Sequence, residues 1–476
     1  MANPFSLIIA GVDSGANLLD LPSPTATTTP YVELGSLSLT LSADGAPGAM
    51  NFTVIEPKTP SGNLPWWRSG AVYDNARVQF FDSRYSASTP LFLGYISNIQ
   101  GELLENGIGT RASVQVTGVT GWLQSTIIRN GTTGIRATSF VDSFTLGSST
   151  STDRDIINGL LARVHTQVND ATTRQLLNTA VISGSTRAIY TGSAQTIGKQ
   201  SFKATTLQSA LDQVAEEAGG IAEVQYRFWI DGDGRLNYGP KTVAATYASA
   251  PAEIVTDPAN IQTGSAASVT RLLARDLSVN LDHDTIVKGI FVMADSAYAR
   301  YDSNQTFPTA PTNDPYFRTY TGTYSRNGAG LASRNGPLPH EVFSAPKIVA
   351  KSDRGATIGT LARGTMTTRA QPRRTVSFSI AGGNLSQTSA PDWEYGYTQG
   401  YALTAAATYT LVKAWLPGQY VKITAPMLDL SSTILYIPTV TMRFAEGGGT
   451  YQVQYEIEAD FRRQYIKGLR GLIAGE

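Results

Sequence analysis

Tyr451-Gln452-Val453-Gln454-Tyr455-Glu456-Ile457-Glu458-Ala459 alternates apolar with polar side chains throughout. Successive side chains on a strand point to opposite faces, so this period of two places one row in a core and the other in solvent or a lumen. Just upstream, the apolar stretch 435–444 is followed by Glu446-Gly447-Gly448-Gly449, whose glycines permit the positive φ angles of a hairpin connection. The spacing therefore predicts a terminal β-hairpin.

The first 130 residues have the same texture. Short apolar runs at 34–41, 51–55, 77–81, 91–96 and 112–117, separated by turn residues, predict five strands forming a small barrel or sandwich. The pattern then changes. Ile156, Ile157, Leu160, Leu161 and Val164 follow helical spacing behind a cap at Thr152 or Asp153. Thr205-Thr206-Leu207-Gln208 reads as a capping box ahead of Leu207, Leu211, Val214 and Ala218, with Gly219-Gly220 as the stop. Residues 224–238 read as a hairpin turning on Asp231-Gly232-Asp233-Gly234. Strands resume at 277–281 and 286–292. A polar stretch at about 294–345 is too long for an ordinary connection and reads as an exposed insertion or partner-facing loop. A short helix is expected within 353–367, and a terminal helix over 461–472 carrying Arg462, Arg463, Lys467 and Arg470. No fixed-period repeat or heptad pattern is evident.

These readings give a mainly β chain with an α/β insertion. The expected domains are a first tube-like β-barrel at 1–130, a mixed α/β unit at 131–250, and a second tube-like β-barrel at 251–460 holding the 294–345 insertion. A C-terminal helix at 461–476 completes the chain.

The 476 residues carry 37 Lys plus Arg against 37 Asp plus Glu, a formal net charge of zero, and only 16% are charged. An average soluble protein is roughly 25% charged, so this surface suits burial by partners and lacks the basic stripe of a sequence-reading nucleic-acid binder. The absence of cysteine excludes disulfides, thiolate metal sites and cysteine nucleophiles. The apolar run from Leu7 to Ala10, with no basic residues before it, is too short for a signal-peptide core or a membrane span, so neither secretory export nor a membrane anchor is expected.

No catalytic, cofactor-binding or metal site is expected. The Asp231-Gly232-Asp233-Gly234 turn lacks the remaining ligands of a calcium loop. His165, His283 and His340 form no zinc motif. Asp282-His283-Asp284 could orient an imidazole, but neighbours on a strand face opposite ways. Gly447-Gly448-Gly449 precedes no Lys-Ser/Thr pair or helix, as a phosphate loop requires. Glu216-Glu217 lie side by side on a helix surface, unlike the opposed carboxylates of a glycosidase. Trp66-Trp67 could stack on a sugar, although aromatics beside proline serve at least as often as packing anchors.

Four stretches, in order, resemble the baseplate-hub or tail-tip hub proteins of tailed bacteriophages. Residues 91–99 with 112–123 are similar to the first barrel of that family, and 206–220 with 228–238 to its helix-then-hairpin. Trp415-Leu416-Pro417-Gly418-Gln419-Tyr420-Val421-Lys422-Ile423-Thr424 is similar to a strand of the second barrel, and 451–460 to the closing strand. The resemblance implies a virion structural protein, assembled in the host cytoplasm, that forms a homotrimer of pseudo-sixfold character. Such a ring joins the hexameric tail tube or distal tail protein to a trimeric spike or central fibre. It also lines the channel through which the tape-measure protein and then genomic DNA pass, the DNA without specific binding. The alternative is a carbohydrate-binding receptor protein of a phage tail using Trp66, Trp67, Tyr316, Tyr320 and Tyr324. A cell-wall hydrolase lacks a catalytic constellation in this sequence.

Overall fold

The computed structural model describes residues 5–9, 30–43, 45–57, 76–83, 86, 88–104, 109–128, 143–167, 188–203, 205–222, 226–240, 253–256, 271–273, 275–282, 289–294, 297–302, 340–344, 373–382, 416–447 and 450–460. The expected helices within 353–367 and 461–472 lie outside these residues, as does 303–339 of the polar stretch.

The fold is mainly β, as the sequence predicts. The N-terminal segment contributes β1 (Phe5–Ile9), β2 (Tyr31–Ser42), β3 (Ala49–Pro57), β4 (Arg77–Asp82), β5 (Phe92–Leu103) and β6 (Gly109–Gly118). Strand β1 was not foreseen: the run read only as too short for a signal peptide buries Phe5, Leu7 and Ile9 and pairs antiparallel with β4.

An α/β segment follows. It holds a single turn α1 (Trp122–Ser125), β7 (Ile127–Ile128), β8 (Ser143–Leu146), α2 (Asp153–Gln167), β9 (Ala188–Tyr190), β10 (Gln200–Lys203), β11 (Thr205–Thr206), α3 (Leu207–Ala222), β12 (Tyr226–Ile230) and β13 (Leu236–Pro240). Helix α2 starts as expected. The Thr152 hydroxyl accepts from the Asp155 N–H at 3.3 Å while Asp155 Oδ2 accepts from the Thr152 N–H at 2.9 Å. Helix α3 departs from expectation at both ends. Thr205 and Thr206 pair with Ile128 and Ile127, so the cap falls on Thr206, whose hydroxyl accepts from the Ser209 N–H at 3.2 Å. The helix also runs through Gly219 and Gly220 to Ala222. Tertiary packing outweighs the roughly 1 kcal/mol cost of a helical glycine here, since Ala218 beside them is fully buried.

The C-terminal segment holds β14 (Glu253–Val255), β15 (Arg271–Leu273), β16 (Arg275–Asp282), β17 (Gly289–Ala294), β18 (Ala297–Asp302), β19 (His340–Ser344), β20 (Arg373–Gly382), β21 (Tyr420–Ala425), β22 (Leu430–Gly447) and β23 (Thr450–Asp460). The predicted terminal hairpin is β22–β23, turning between Gly447 and Thr450. The polar stretch is bounded by strands, with β17 pairing β18 on one side and β19 on the other. Strand β22 pairs β21 through its first half and β23 through its second. Strands β14 and β15 extend the β21 side, β20 and β16 extend the β23 side, and β15 and β16 are one residue apart in the chain.

The two β segments share one sheet. Ser38 to Ser42 of β2 pair antiparallel with Arg443 to Thr439 of β22. They also share one core: Phe5 and Phe80 from the first segment pack on Phe444 from the second, with ring centroids 5.1 and 5.6 Å away. The α/β segment has its own core, where Ile156, Leu160 and Val164 of α2 join Leu207, Leu211 and Val214 of α3.

The shared sheet contains a repeat that the sequence does not display. In chain order, β2-β3-β4-β5-β6 corresponds to β16-β20-β21-β22-β23, and both sets pair in the same way. In the first, Arg77, which opens β4, pairs Tyr95, a bulge follows, and Asn98↔Gln115↔Asn51↔Ser38 forms a row. In the second, Tyr420, which opens β21, pairs Tyr436, a bulge follows, and Thr439↔Glu458↔Ser377↔Ser278 forms the matching row. Ser38 and Ser278 each come directly after a further register shift. From Tyr95 and Tyr436 to the two serines the correspondence holds to the residue; the shift ahead of Ser38 is the larger of the two.

Candidate functional site

The repeat builds an eight-strand ladder, β5-β6-β3-β2-β22-β23-β20-β16, in which every neighbour is antiparallel. Its inner face supplies the core: Val116, Met50, Leu39 and Met442 lie in one row, all buried. Its other face is mostly polar and runs across both segments. One row runs Asn98, Gln115, Asn51, Ser38 and Arg443, and the next includes Thr117, Thr40, Thr441 and Glu456. The Thr40 and Thr441 hydroxyls lie 3.1 Å apart across the joint between segments.

Arg443 and Arg111 on this face are neutralised locally. Arg443 Nε donates to Glu456 Oε1 at 2.7 Å, and this pairing raises the pKa of the guanidinium. Arg111 lies 2.8 Å from Glu33 and 3.9 Å from Glu102. All five carboxylate and guanidinium partners are substantially exposed, so these pairs add little stability; what they alter is the surface potential.

The ladder ends in two edges. Strand β4 covers β5 only through Tyr95, and the Ile96 N–H donates to Ala76 O; among the described residues nothing pairs with the outer edge of β5 from Ser97 to Leu103. Leu103 is 79% exposed. At the far end, among the described residues β16 pairs only with β20, and Leu277 and Val279 are partly buried on the core side. Open edges carry unpaired backbone groups and are normally blocked or partnered.

The α/β segment docks on this sheet through the β12–β13 hairpin. Tyr226, Phe228 and Ile230 face its own core, which turns Arg227 and Trp229 outward. The Arg227 guanidinium lies 4.8 Å from the centroids of both Trp229 and Tyr436, and its Nη2 donates to Gly418 O at 3.0 Å. Gly418 holds φ at +90° in the turn before β21, a conformation that favours glycine. On the other side, the Ile230 N–H donates to Thr120 Oγ1 at 3.3 Å, and a Cβ at Gly232 would stand 1.7 Å from Pro90 O. The hairpin is thus wedged against both β segments.

Beside it lies a cavity of about 250 Å³ lined by Pro90, Leu91, Thr120, Trp229, Asp231 and Leu416, among others. Asp231 Oδ1 accepts from the N–H groups of Asp233 and Arg235 at 3.0 and 2.9 Å, and Oδ2 accepts from Asn237 at 2.9 Å. Burial nevertheless dominates and pushes its carboxyl above the usual range. With both oxygens committed to the turn, the Asp-Gly-Asp-Gly motif is a hairpin device, as its sequence suggests.

Trp66, Trp67, Tyr316, Tyr320 and Tyr324 lie outside the described residues, as do His283 and Asp284 and the side chains of His165 and His340. Among the described residues no cluster of three or more His, Asp or Glu could hold a metal ion, and no helix is long and apolar enough to cross a membrane. Arg227, Gly418 and the two ladder edges were not singled out by the sequence. The motif ahead of β21 was noted, but only the fold brings its glycine to Arg227.

No family model and no curated protein matches the sequence. Solved structures do match in fold. A tail protein from Neisseria meningitidis MC58 superposes with a TM-score of 0.51 at 11% identity, covering 96% of this chain and 97% of that one. The 43 kDa tail protein of prophage MuSo2 from Shewanella oneidensis gives 0.50 at 10% identity, covering 95% and 97%. This chain shares the fold of phage tail proteins. The likeness spans nearly the whole of each chain, so the tail-protein fold takes in the α/β segment as well as both β segments. The family resemblance carried by the four sequence stretches is met at the level of the fold.

Proposed function

We propose that this chain is the structural, non-enzymatic hub of a bacteriophage tail tip. In this reading the chain divides into a first barrel at 1–130, an α/β domain at 131–250 and a second barrel at 251–460. Three copies form a ring whose six barrels meet the hexameric tail tube or distal tail protein on one side and a trimeric spike or central fibre on the other. The observation that carries this reading is the repeat of β2–β6 in β16 and β20–β23, with the same pairing order, because two equivalent units per chain turn threefold into pseudo-sixfold symmetry.

The polar face of the ladder is the surface suited to line the channel. A row of amides and hydroxyls with Arg443 and Arg111 paired to carboxylates offers duplex DNA hydrogen-bonding water and little free positive charge among the described residues, so phosphates gain little from counterion release by stopping there. The tape-measure protein would occupy the same channel before the genome. The protein resides in the virion after assembly in the host cytoplasm.

Native mass spectrometry of the purified chain at high concentration, with electron microscopy of the same sample, tests this reading. Trimers and rings with six lobes are expected. A chain that stays monomeric, or rings of another order, would overturn it.

A further inference from the structure

The joint between the two β segments is a template for a joint the single chain does not make. In the second unit, β22 pairs β21 up to Tyr436, bulges, and then gives its freed edge from Thr439 onward to β2. In the first unit, β5 pairs β4 up to Tyr95, bulges, and its freed edge from Ser97 onward meets nothing among the described residues. The strand equivalent to β2 is β16, whose outer edge at the far end of the ladder likewise meets nothing among the described residues.

We infer that β16 of one copy pairs with β5 of the next, in the register Asn98↔Asp282, Gln100↔Asn280 and Glu102↔Ser278. This rests on the ring reading above and specifies its contact. The register follows by carrying Ser42↔Thr439, Thr40↔Thr441 and Ser38↔Arg443 through the repeat. Three observations support the partner's being a second copy. The ladder has an even number of alternating strands, so a rotated copy brings an antiparallel β5 to β16 and the alternation continues. The contact is heterologous, the kind that closes a ring. Exposed Leu103 and half-buried Ile99 on the core side of β5 would come beside Leu277 and Val279, apolar groups left half-covered on the same side of β16.

The backbone pattern gives a sharp test. The Leu104 N–H donates to Gly109 O, so by alternation the Gly101 N–H points away from β6, towards the incoming strand, and Gln100 occupies a non-hydrogen-bonded position. Such positions bring side chains close enough for a disulfide, and the chain has no cysteine to interfere. Mixing full-length Gln100→Cys with full-length Asn280→Cys under mild oxidation is expected to give covalent dimers, and neither variant alone should do so. Gly101→Pro is expected to leave the circular dichroism spectrum and Tm unchanged while reducing trimer in native mass spectra to background. Six-lobed rings that form without cross-linking in the mixture, or that survive Gly101→Pro, would overturn the β5–β16 contact and leave the ring reading standing. No rings with the unmodified chain would overturn both.

Discussion

Asp231 sits at a turn where burial and hydrogen bonding oppose each other, and burial prevails. A carboxyl whose folded pKa exceeds its unfolded value favours the folded state more as it protonates. Its contribution is therefore fully present below the unfolded pKa and is lost as pH rises through the folded one. Asp231→Asn removes this titration, so the wild type should gain Tm relative to the variant as pH falls from 7 towards 4. Parallel thermal melts across that range check the sign. Gly232 poses a steric question instead. A methyl there meets the Pro90 carbonyl oxygen, a backbone atom with no rotamer to yield. Gly232→Ala should cost more than about 2 kcal/mol in denaturant unfolding, beyond what an ordinary surface change does. Arg227→Met keeps apolar packing against Trp229 and Tyr436 but forfeits the cation–π contacts and the bond to Gly418 O, and about 1.5–3 kcal/mol is expected for loss of the charged donor.

At the scale of elements, the strands were the most legible part of the sequence. The alternation at 451–459 and the five N-terminal runs each correspond to a strand, because a half-buried sheet imposes its period of two directly on residue order. Helix α2 was equally plain from its spacing and its Thr152 cap. Helix α3 was misjudged at its ends because Thr205 had two possible tasks, cap or strand, and its pairing with Ile128 decided between them. The repeat was invisible for a physical reason. Matching positions need only the same face and the same backbone hydrogen bonds, so Asn51 and Ser377, or Gln115 and Glu458, serve interchangeably while sharing no identity. The docking of β12–β13 was hidden likewise, since Arg227 reads as an ordinary polar strand residue until Gly418 and Tyr436 are brought to it. The Phe5, Phe80 and Phe444 cluster makes a prediction about elements that sequence separates by more than three hundred residues. Phe444→Ala should cost about 3–5 kcal/mol, and because the core is shared, probes in either β segment should report one transition at the same lower midpoint.

For the whole molecule, the two cores imply a division of labour. The shared β core binds both repeat units into a single sheet, whereas the α/β core is a separate cluster that meets the sheet through the β12–β13 hairpin and by burying Leu93 of β5. Removing the hairpin's anchors should therefore loosen the α/β segment before the sheet. Hydrogen exchange on Arg227→Met is expected to show faster exchange at 226–240 and 416–419 with protection in β3 and β22 unchanged; equal loss in all of them would contradict independent docking.

The repeat is not decorated equally. Strands β17 to β19 and the long polar stretch fall between β16 and β20, whereas β2 and β3, their counterparts, are joined by a few residues. Around a collar of six such units, that outgrowth would mark every second position, so a partner approaching from its side would meet three landmarks spaced a third of a turn apart, even though the sheet beneath presents six near-identical steps.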